Sequence, residues 1–426
     1  MIPHPNEADT ARRFLRGCFD RAVEVCRPDR ILAGHLPPPP SGRTVVVGAG
    51  KAAASMAAAL EAQWPGPLDG LVITRHGHGH PCARVRVVEA GHPNPDAEGE
   101  RAAAELLRLV GGLGPDDLVL CLLSGGGSSL MMLPPDGLAL AEVKAVNGAL
   151  LRSGAPIGDM NRVRSVLSRL GGGRLAVAAW PAPVVTLSIS DVPGDEPATI
   201  ASGPTVPPVS SPALARAVLD RHRIPVPERL AAFLDSAAAR PPDADHPAFG
   251  AGRFRLMASG LSALNAAADT ARAAGIEPLV LGDAIEGEAR QVGTVMAGIA
   301  RSIRQGGTTI PRPCLLLSGG ETSVTVTGHG RGGRNAEFLL SFALGIQEVE
   351  GIAAIACDTD GIDGSEDNAG ALADGATAGR ARAAGLDPAD RLGDNDAHTV
   401  FAALGDLVVT GPTLTNVNDF RAVLIR

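Results

Sequence analysis

An α/β fold in two domains is what this chain predicts, on three observations. Short apolar runs rich in Val, Leu and Ile alternate with stretches of helical spacing from Thr44 onwards, the pattern of parallel sheet covered by helices. Two of those runs end in similar glycine-rich segments, LVLCLLSGGGSSL at 118–130 and CLLLSGGETSV at 314–324. At 426 residues the chain exceeds what one core of ordinary size organises. The expected division is a parallel-sheet domain over 1–247 and a smaller α/β domain over 248–426.

Each glycine segment reads as a buried strand that delivers a bare-backbone loop to a helix start. There, free N–H groups and the helix dipole collect a phosphate. Both loops are expected at the C-terminal ends of their strands, facing one another across a cleft.

Composition narrows the functions open to such a chain. A net charge of −8 and the lack of a basic stripe argue against a nucleic-acid partner. Hydrophobic residues make up 45%, yet no apolar run approaches the roughly 18 residues of a membrane span. The opening MIPHPNEADTARRF carries no signal-peptide pattern. Six cysteines, at 18, 26, 82, 121, 314 and 357, lack CxxC spacing and read as reduced small hydrophobes of a cytoplasmic protein. The chain has 36 arginines, two lysines and no tyrosine. A surviving lysine therefore points to a role that needs a compact charge on a slim stem rather than a planar fork. Lys144, in a helix-like stretch, reads as a chance survivor, and Lys51 does not.

In chain order, 9–26 has helical spacing and the prolines 37–40 close it. A strand at 44–47 turns through Gly48-Ala49-Gly50-Lys51-Ala52-Ala53 into an alanine-rich helix. This fits the dinucleotide fingerprint and a Rossmann-like domain. The next strand, 71–74, ends in Arg75 where an acidic ribose partner is expected, although Arg would suit a 2′-phosphate. Lys51 is well placed to hold an anion bound at the helix start. His76, His78 and His80 alternate with glycines; loop histidines explain them without a metal, since no carboxylate or cysteine completes a set nearby. A turn at 91–96 precedes a helix at 97–110, which leads to the first glycine segment.

A helix at 140–151 follows, and then 153–176 gathers Asn161, Arg162, Arg164, Arg169 and Arg174 around a triple glycine. That excess of cations fits an anion-facing surface or a merely solvated helix face. The strand at 183–189 ends in Ser190-Asp191 and a rigid turn, and open parallel sheets place ligand chemistry at such strand ends. Asp191 is the first candidate for holding Mg²⁺. The proline-rich 203–247 reads as a connection between lobes. Strand, helix and strand follow at 253–259, 261–274 and 277–282, with the alternative that the first of these strands returns to the first sheet. The helix opened by GEARQVG runs to about Gln305.

After Ser318-Gly319-Gly320-Glu321-Thr322 an alternating strand, SVTVT, leads to GHGRGGRNAEF. This sets Arg331 and Arg334 on a glycine-rich loop entering a helix, where arginines clamp carboxylate or phosphate oxygens. The strand GIAAIA ends in DTDGIDG, whose Asp358 and Asp360 suit a hard cation or substrate orientation. A Ca²⁺ loop of the EF-hand kind is argued against by the strand before it. Polar clusters at 394–397 and 410–419 close the chain.

Taken in order, GAGKAA, LLSGGGSSL, SGA…NRVRSVLS…GGGRLA, SDVPGD, ASGPT, LSGGETSV, GRGGRNAE, DTDGIDG and TGPTLTNVND resemble the class II glycerate kinases, the glycerate 2-kinase family with a C-terminal MOFRL-type domain. The resemblance runs from about Lys51 to Asp419. It implies a second domain with a mixed sheet, an active site in the cleft between domains, and transfer of the γ-phosphoryl group of ATP, with Mg²⁺, to D-glycerate, typically giving 2-phosphoglycerate. Lys51 and Arg331 match the family's catalytic cations and Asp191 its metal-associated aspartate. Ser124, Gly125, Gly126, Gly127, Ser128 and Ser129 match one anion-binding loop; Ser318, Gly319, Gly320, Glu321 and Thr322 match the other. Ala397 stands where a serine is common, and Leu414 where glycine is usual.

Phosphoryl transfer needs positioning and charge neutralisation more than covalent chemistry, which agrees with that set. Lys51 and Arg331 are assigned to charge on the transferring group, and Asp191, with Asp358 and Asp360, to Mg²⁺. Asn161, Arg164 and Arg334 are assigned to substrate, and Asp191 or Asp360 to the hydroxyl proton. Homodimerisation stays open. Members of the family have also carried the label hydroxypyruvate reductase, so an NAD(P)H-dependent reductase resting on residues 48–53 and Arg75 is the rival reading. A non-catalytic sugar-phosphate sensor is the third, but it leaves the aspartate-ended strands without a use.

Overall fold

A computed structural model describes residues 7–426; the beginning of the opening segment, read above for a leader pattern, lies outside the described residues. The chain forms two compact units. One is Pro28–Met257, and the other joins residues 7–27 to Ala258–Arg426. No helix among the described residues is long and apolar enough to cross a membrane.

The first unit is built on strands β1 (Thr44–Ala49), β2 (Asp69–Arg75), β3 (Val85–Ala90), β4 (Leu118–Leu123), β5 (Val184–Ile189) and β6 (Arg253–Ala258). Their order is β3-β2-β1-β4-β5-β6, and β1 to β5 pair in parallel. Strands β1, β4 and β5 are buried throughout, which is why their sequences run apolar without alternation. Strand β3 has no counterpart in the sequence reading. Only its end residues Val85 and Ala90 are buried and Arg86 and Glu89 interrupt it, so it carries no continuous apolar run. The strand order is that of the doubly wound fold, with the direction of winding reversing between β1 and β4.

One expectation for this unit is corrected. The segment 203–247 is not a connection between lobes. Its helices Pro212–Arg221 and Glu228–Asp235 bury Leu219, Leu230 and Phe233 in one core with Val143, Val146 and Val163. Strand β6 lies at the edge of this first sheet, the alternative left open for it above, so the strand–helix–strand unit from 253 to 282 is divided between two sheets. The chain leaves the first unit about ten residues after the expected boundary at 247/248.

The second unit carries β7 (Glu277–Gly282), β8 (Gly287–Glu288), β9 (Cys314–Gly320), β10 (Thr322–Ser323), β11 (Ile352–Asp358), β12 (Gly370–Asp374), β13 (Leu407–Val408) and β14 (Asp419–Ile425). Its main sheet runs β13-β12-β11-β14-β9-β7. It is mixed, with β7 and β9 parallel and the other pairs antiparallel. Helices Ala289–Arg304 and Arg334–Gly345 share a core with Cys314, Leu316, Val423 and Ile425. Strand periodicity puts Phe420 on the other face, where its ring meets that of Phe19 at 5.7 Å. Phe19 belongs to the helix Glu7–Glu24, so a helix expected in the first domain is part of the second unit.

The second glycine segment is also not what its sequence predicts. Ser318, Gly319 and Gly320 remain inside β9, opposite Arg421, Phe420 and Asp419 of β14, and the short β10 follows instead of a helix. Gly320 has φ 121, and a Cβ there would lie 2.2 Å from the Ile285 carbonyl oxygen. Glycine serves a close approach of backbone to backbone here, not an open loop. The alternating strand expected from SVTVT is confined to Thr322–Ser323.

Candidate active site

In the first unit the loops after β1, β4 and β5 leave from one edge of the sheet, because these strands are parallel neighbours. Lys51, the Ser124–Ser129 segment and Asp191 therefore come from the edge where doubly wound sheets bind ligands. The first two loops are tied together. Lys51 donates its backbone N–H to the Gly125 carbonyl at 2.8 Å, and the Ser124 N–H reaches the Ala49 carbonyl at 3.1 Å. Ser124 Oγ accepts from the Ala52 N–H at 2.9 Å. Gly50, at φ 143, leaves the space that this hydroxyl fills; a Cβ there would sit 2.1 Å from Ser124 Oγ. Lys51 itself is half-buried just before the helix Ala53–Gln63.

The segment at Ser124–Ser129 forms the expected loop and helix start. Gly126 is left-handed at φ 82 and precedes the turn Gly127–Leu130. The N–H groups of Gly125 and Gly126 have no protein acceptor among the described residues. Ser129 Oγ donates to the Gly126 carbonyl at 3.0 Å, and Ser128 Oγ lies 2.9 Å from Ser202 Oγ. His92, in the turn after β3, packs on the same loop: a Cβ on Gly126 would be 2.6 Å from its Nε2. Sequence reasoning noticed His92 only as part of a turn, and it missed Ser202.

Ser202 leads to a cavity of about 210 Å³, lined among others by Asn161, Ser165, Thr199, Ser202 and Val209. Asn161 is buried and donates through Nδ2 to the Thr199 carbonyl at 3.4 Å. Its Oδ1 accepts from Arg164 Nη1 at 3.5 Å. The local arginines now separate by role. Arg162 lines the cavity and pairs with the buried Asp159, Arg169 pairs with Asp136 near solvent, and Arg174 holds the carbonyls of Ser165, Gly171 and Ala239. Arg164 has no ion pair with a carboxylate among the described residues, and burial lowers its pKa. A desolvated guanidinium without a counter-ion is costly unless an anion arrives.

Asp191 is half-buried in the turn after β5, where Ser190 Oγ accepts from the Val192 N–H at 3.1 Å. The HGHGH segment is a loop braced by Glu89, whose carboxylate accepts from the N–H groups of Gly77 and Gly79, each at 3.0 Å.

In the second unit Arg331 and Arg334 occupy the loop that enters the helix Arg334–Gly345, and they differ sharply. The Arg331 side chain is 62% exposed and pairs with Glu366, whose hydrogen bond raises the Arg331 pKa. Its backbone is fixed from both sides, by Asp396 Oδ1 at 3.0 Å and by the His398 N–H at 3.0 Å. Arg334 is the hub of a buried network. It reaches Asp419 at 2.7 Å, Asp358 at 2.8 Å and Glu321 at 3.1 Å. Burial alone would lower its pKa, but these carboxylates hold it well above the ordinary value. Asp419 in turn accepts from Asn335 at 2.8 Å and pairs with the fully buried Arg421.

Asp358 and Asp360 are adjacent, the Asp360 N–H meeting Asp358 Oδ1 at 3.0 Å. No group of three or more His, Cys, Asp or Glu placed to hold a metal ion by itself occurs among the described residues. The residue that aims the loop was missed from sequence. Asp363 accepts from the N–H groups of Asn335 and Ala336 at 2.9 and 2.8 Å, capping the helix from another segment, and burial pushes it up to about 6. Leu414 adopts φ 65, the left-handed conformation natural to the glycine usual in that motif.

Comparison with known proteins agrees with this geometry. Residues 14–235 match the model of a domain of unknown function, DUF4147, and residues 314–419 match the MOFRL family. The D-glycerate 2-kinase of Thermotoga maritima is 38% identical, over 98% of this chain and 99% of that protein. A protein of Agrobacterium vitis named as a candidate hydroxypyruvate reductase is 52% identical, over 98% of this chain and 95% of its own length. The crystal structure of glycerate kinase from Thermotoga maritima superposes with a TM-score of 0.86 at 36% identity, covering 98% of this chain and all of that one. A parallel sheet wound in the doubly wound order, a mixed sheet after it and these matches along nearly the whole length lead to one assignment: the chain belongs to the enzyme family that joins a DUF4147 domain to a MOFRL domain.

Proposed function

We propose that this enzyme phosphorylates D-glycerate on its 2-hydroxyl, using ATP and Mg²⁺ and transferring the γ-phosphoryl group directly. The observation that carries the reading is Arg164, a half-buried, desolvated guanidinium without a carboxylate partner among the described residues, hydrogen-bonded to Asn161, which lines the cavity together with Arg162. A small carboxylate substrate supplies the missing counter-ion. The loop at Gly125 and Gly126 offers backbone donors to a phosphate. Lys51 and Arg331 supply positive charge to the transferring group, and Arg334 keeps the Arg331 loop and its carboxylates in place. The donor oxygens of Asp191, Asp358 and Asp360 are of the hard type that suits Mg²⁺, which is commonly bound through one or two carboxylates together with substrate phosphates. When bound, the ion neutralises phosphate charge. A cytoplasmic location belongs to the same reading, supported by six free cysteines, five of them buried.

Gly50 speaks for a kinase over a reductase. In dinucleotide-binding folds the second glycine of the fingerprint leaves room for a pyrophosphate; here that room is taken by Ser124 Oγ. A coupled assay should show ADP release that requires both D-glycerate and Mg²⁺, with phosphorus NMR identifying 2-phosphoglycerate. Loss of NADPH absorbance with hydroxypyruvate, without ADP release, would replace this reading with the reductase.

A further inference from the structure

We infer that the cavity behind the phosphate loop admits hydroxy acids one carbon longer than glycerate, so that four-carbon 2,3,4-trihydroxybutanoates are also substrates. This rests on the kinase reading above and extends it to the substrate class. Three observations bear on it. The cavity connects to the loop through Ser202, whose hydroxyl is 2.9 Å from that of Ser128, so an acid seated in it reaches toward the transferred group. The carboxylate end is assigned to Asn161 and Arg162, the latter the one cation among the described residues of the lining, with Glu196 its one acidic residue and Arg164 bonded to Asn161. Its volume is about 210 Å³. Bonded non-hydrogen atoms each need well under the ~30 Å³ share of a free water, so a three-carbon acid leaves part of that space unfilled.

The lining suits an added hydroxymethylene group. Ser165 and Thr199 offer hydroxyls, while Pro207 and Val209 supply an apolar wall. Gly158 also lines the space, and a Cβ built on it meets nothing within 4 Å. The reaction on the longer acid has the same balance as on glycerate. The 2-hydroxyl oxygen bonds to the γ-phosphorus as the bond from that phosphorus to the β,γ-bridging oxygen breaks. ADP leaves, and the hydroxyl proton passes to solvent.

The test is ADP release from the full-length enzyme with D-glycerate and with each stereoisomer of the four-carbon acid. We expect kcat/KM for the best four-carbon isomer within about a hundredfold of that for D-glycerate, the scale on which one methylene in a pocket is discriminated. A larger deficit for every isomer, with glycerate turned over normally, overturns this inference alone. No turnover of any acid overturns the kinase reading and this inference together. Gly158→Leu locates the space. It should lower kcat/KM for the four-carbon acid at least tenfold more than for glycerate, and an equal effect on both would show that the extra carbon lies elsewhere.

Discussion

Ser124 Oγ stands 2.9 Å from the backbone nitrogen of Ala52 and accepts its hydrogen bond, so one hydroxyl fixes the turn that presents Lys51. In Ser124→Ala the Ala52 N–H is left buried without an acceptor, a loss of about 1–3 kcal/mol. For a unit of this size that corresponds to a fall of several degrees in Tm. Thermal unfolding should show it, together with a drop in kcat/KM. A variant with wild-type Tm and activity would mean that Lys51 is positioned by other contacts.

Lys51 and Arg331 should each cost activity without costing the fold. Removing a transition-state cation lowers the rate by about 10³-fold or more in phosphoryl transfer. Because the Arg331 side chain is largely exposed, Arg331→Ala should melt within a degree or two of wild type. Lys51→Arg should fail to restore turnover, since a planar fork does not replace a compact charge. Steady-state kinetics and circular dichroism on Lys51→Ala, Lys51→Arg and Arg331→Ala decide this, and near-normal turnover in any of them sinks the assignment for that residue.

Arg164→Met should separate function from stability in the opposite sense. Replacing a half-buried, desolvated charge that lacks a counter-ion by an apolar side chain of similar length is neutral or stabilising, so Tm should hold or rise. The KM for D-glycerate should climb at least tenfold while the KM for ATP stays near its wild-type value. An unchanged KM for glycerate would remove Arg164 from the acceptor site.

Asp363 gives stability a specific pH dependence. Its pKa is raised from 3.8 to about 6 in the folded protein, chiefly by burial, so the folded state holds this proton more tightly than the unfolded one. The stability it contributes is fully present below about pH 4 and is lost as pH rises through 6, a change on the order of 3 kcal/mol. Asp363→Asn cannot ionise. The Tm advantage of wild type over this variant should therefore shrink between pH 4 and pH 7. A gap that stays constant or widens would show that the carboxyl does not take up its proton in that window.

Leu414→Gly should stabilise the second unit. A left-handed conformation costs a side chain about 1–2 kcal/mol, offset in part by the entropy that glycine adds to the unfolded chain. We expect a net gain of up to about 1 kcal/mol, read as a rise of a few degrees in Tm. A fall would mean that packing of the leucine side chain outweighs its backbone strain.

Much of the fold could be read because its strongest signals are local. Strands β1, β4 and β5 are continuous apolar runs, and the helix Ala97–Val110 starts at a capping Asp96. The segment 203–247 misled because proline has two uses. Pro212 and Pro247 open helices at the first turn, a position that proline favours, and Pro227 immediately precedes another helix. The second glycine segment misled in a similar way, since glycine marks both a loop around a ligand and a crossing of two backbones. Lys51, Arg331 and the loop at Ser124 were singled out from residue type and spacing, with the roles proposed for them coming from the family resemblance. Their supports, Ser202, Glu366, Asp363 and His398, were not, because each acts on a segment tens of residues away that only the folded chain brings near.

The helix Glu7–Glu24 is synthesised before the whole of Pro28–Met257, yet the strand that carries its partner Phe420 is made after it. During translation the first unit has every strand of its own sheet and can close early. That helix must wait for its strand partner, and the burial of Leu15 and Phe19 in the folded unit is not complete while Pro28–Met257 is being made. The second unit is therefore assembled around an insertion of more than two hundred residues, and the growing chain carries an uncovered apolar helix across that interval, the kind of surface that chaperones bind.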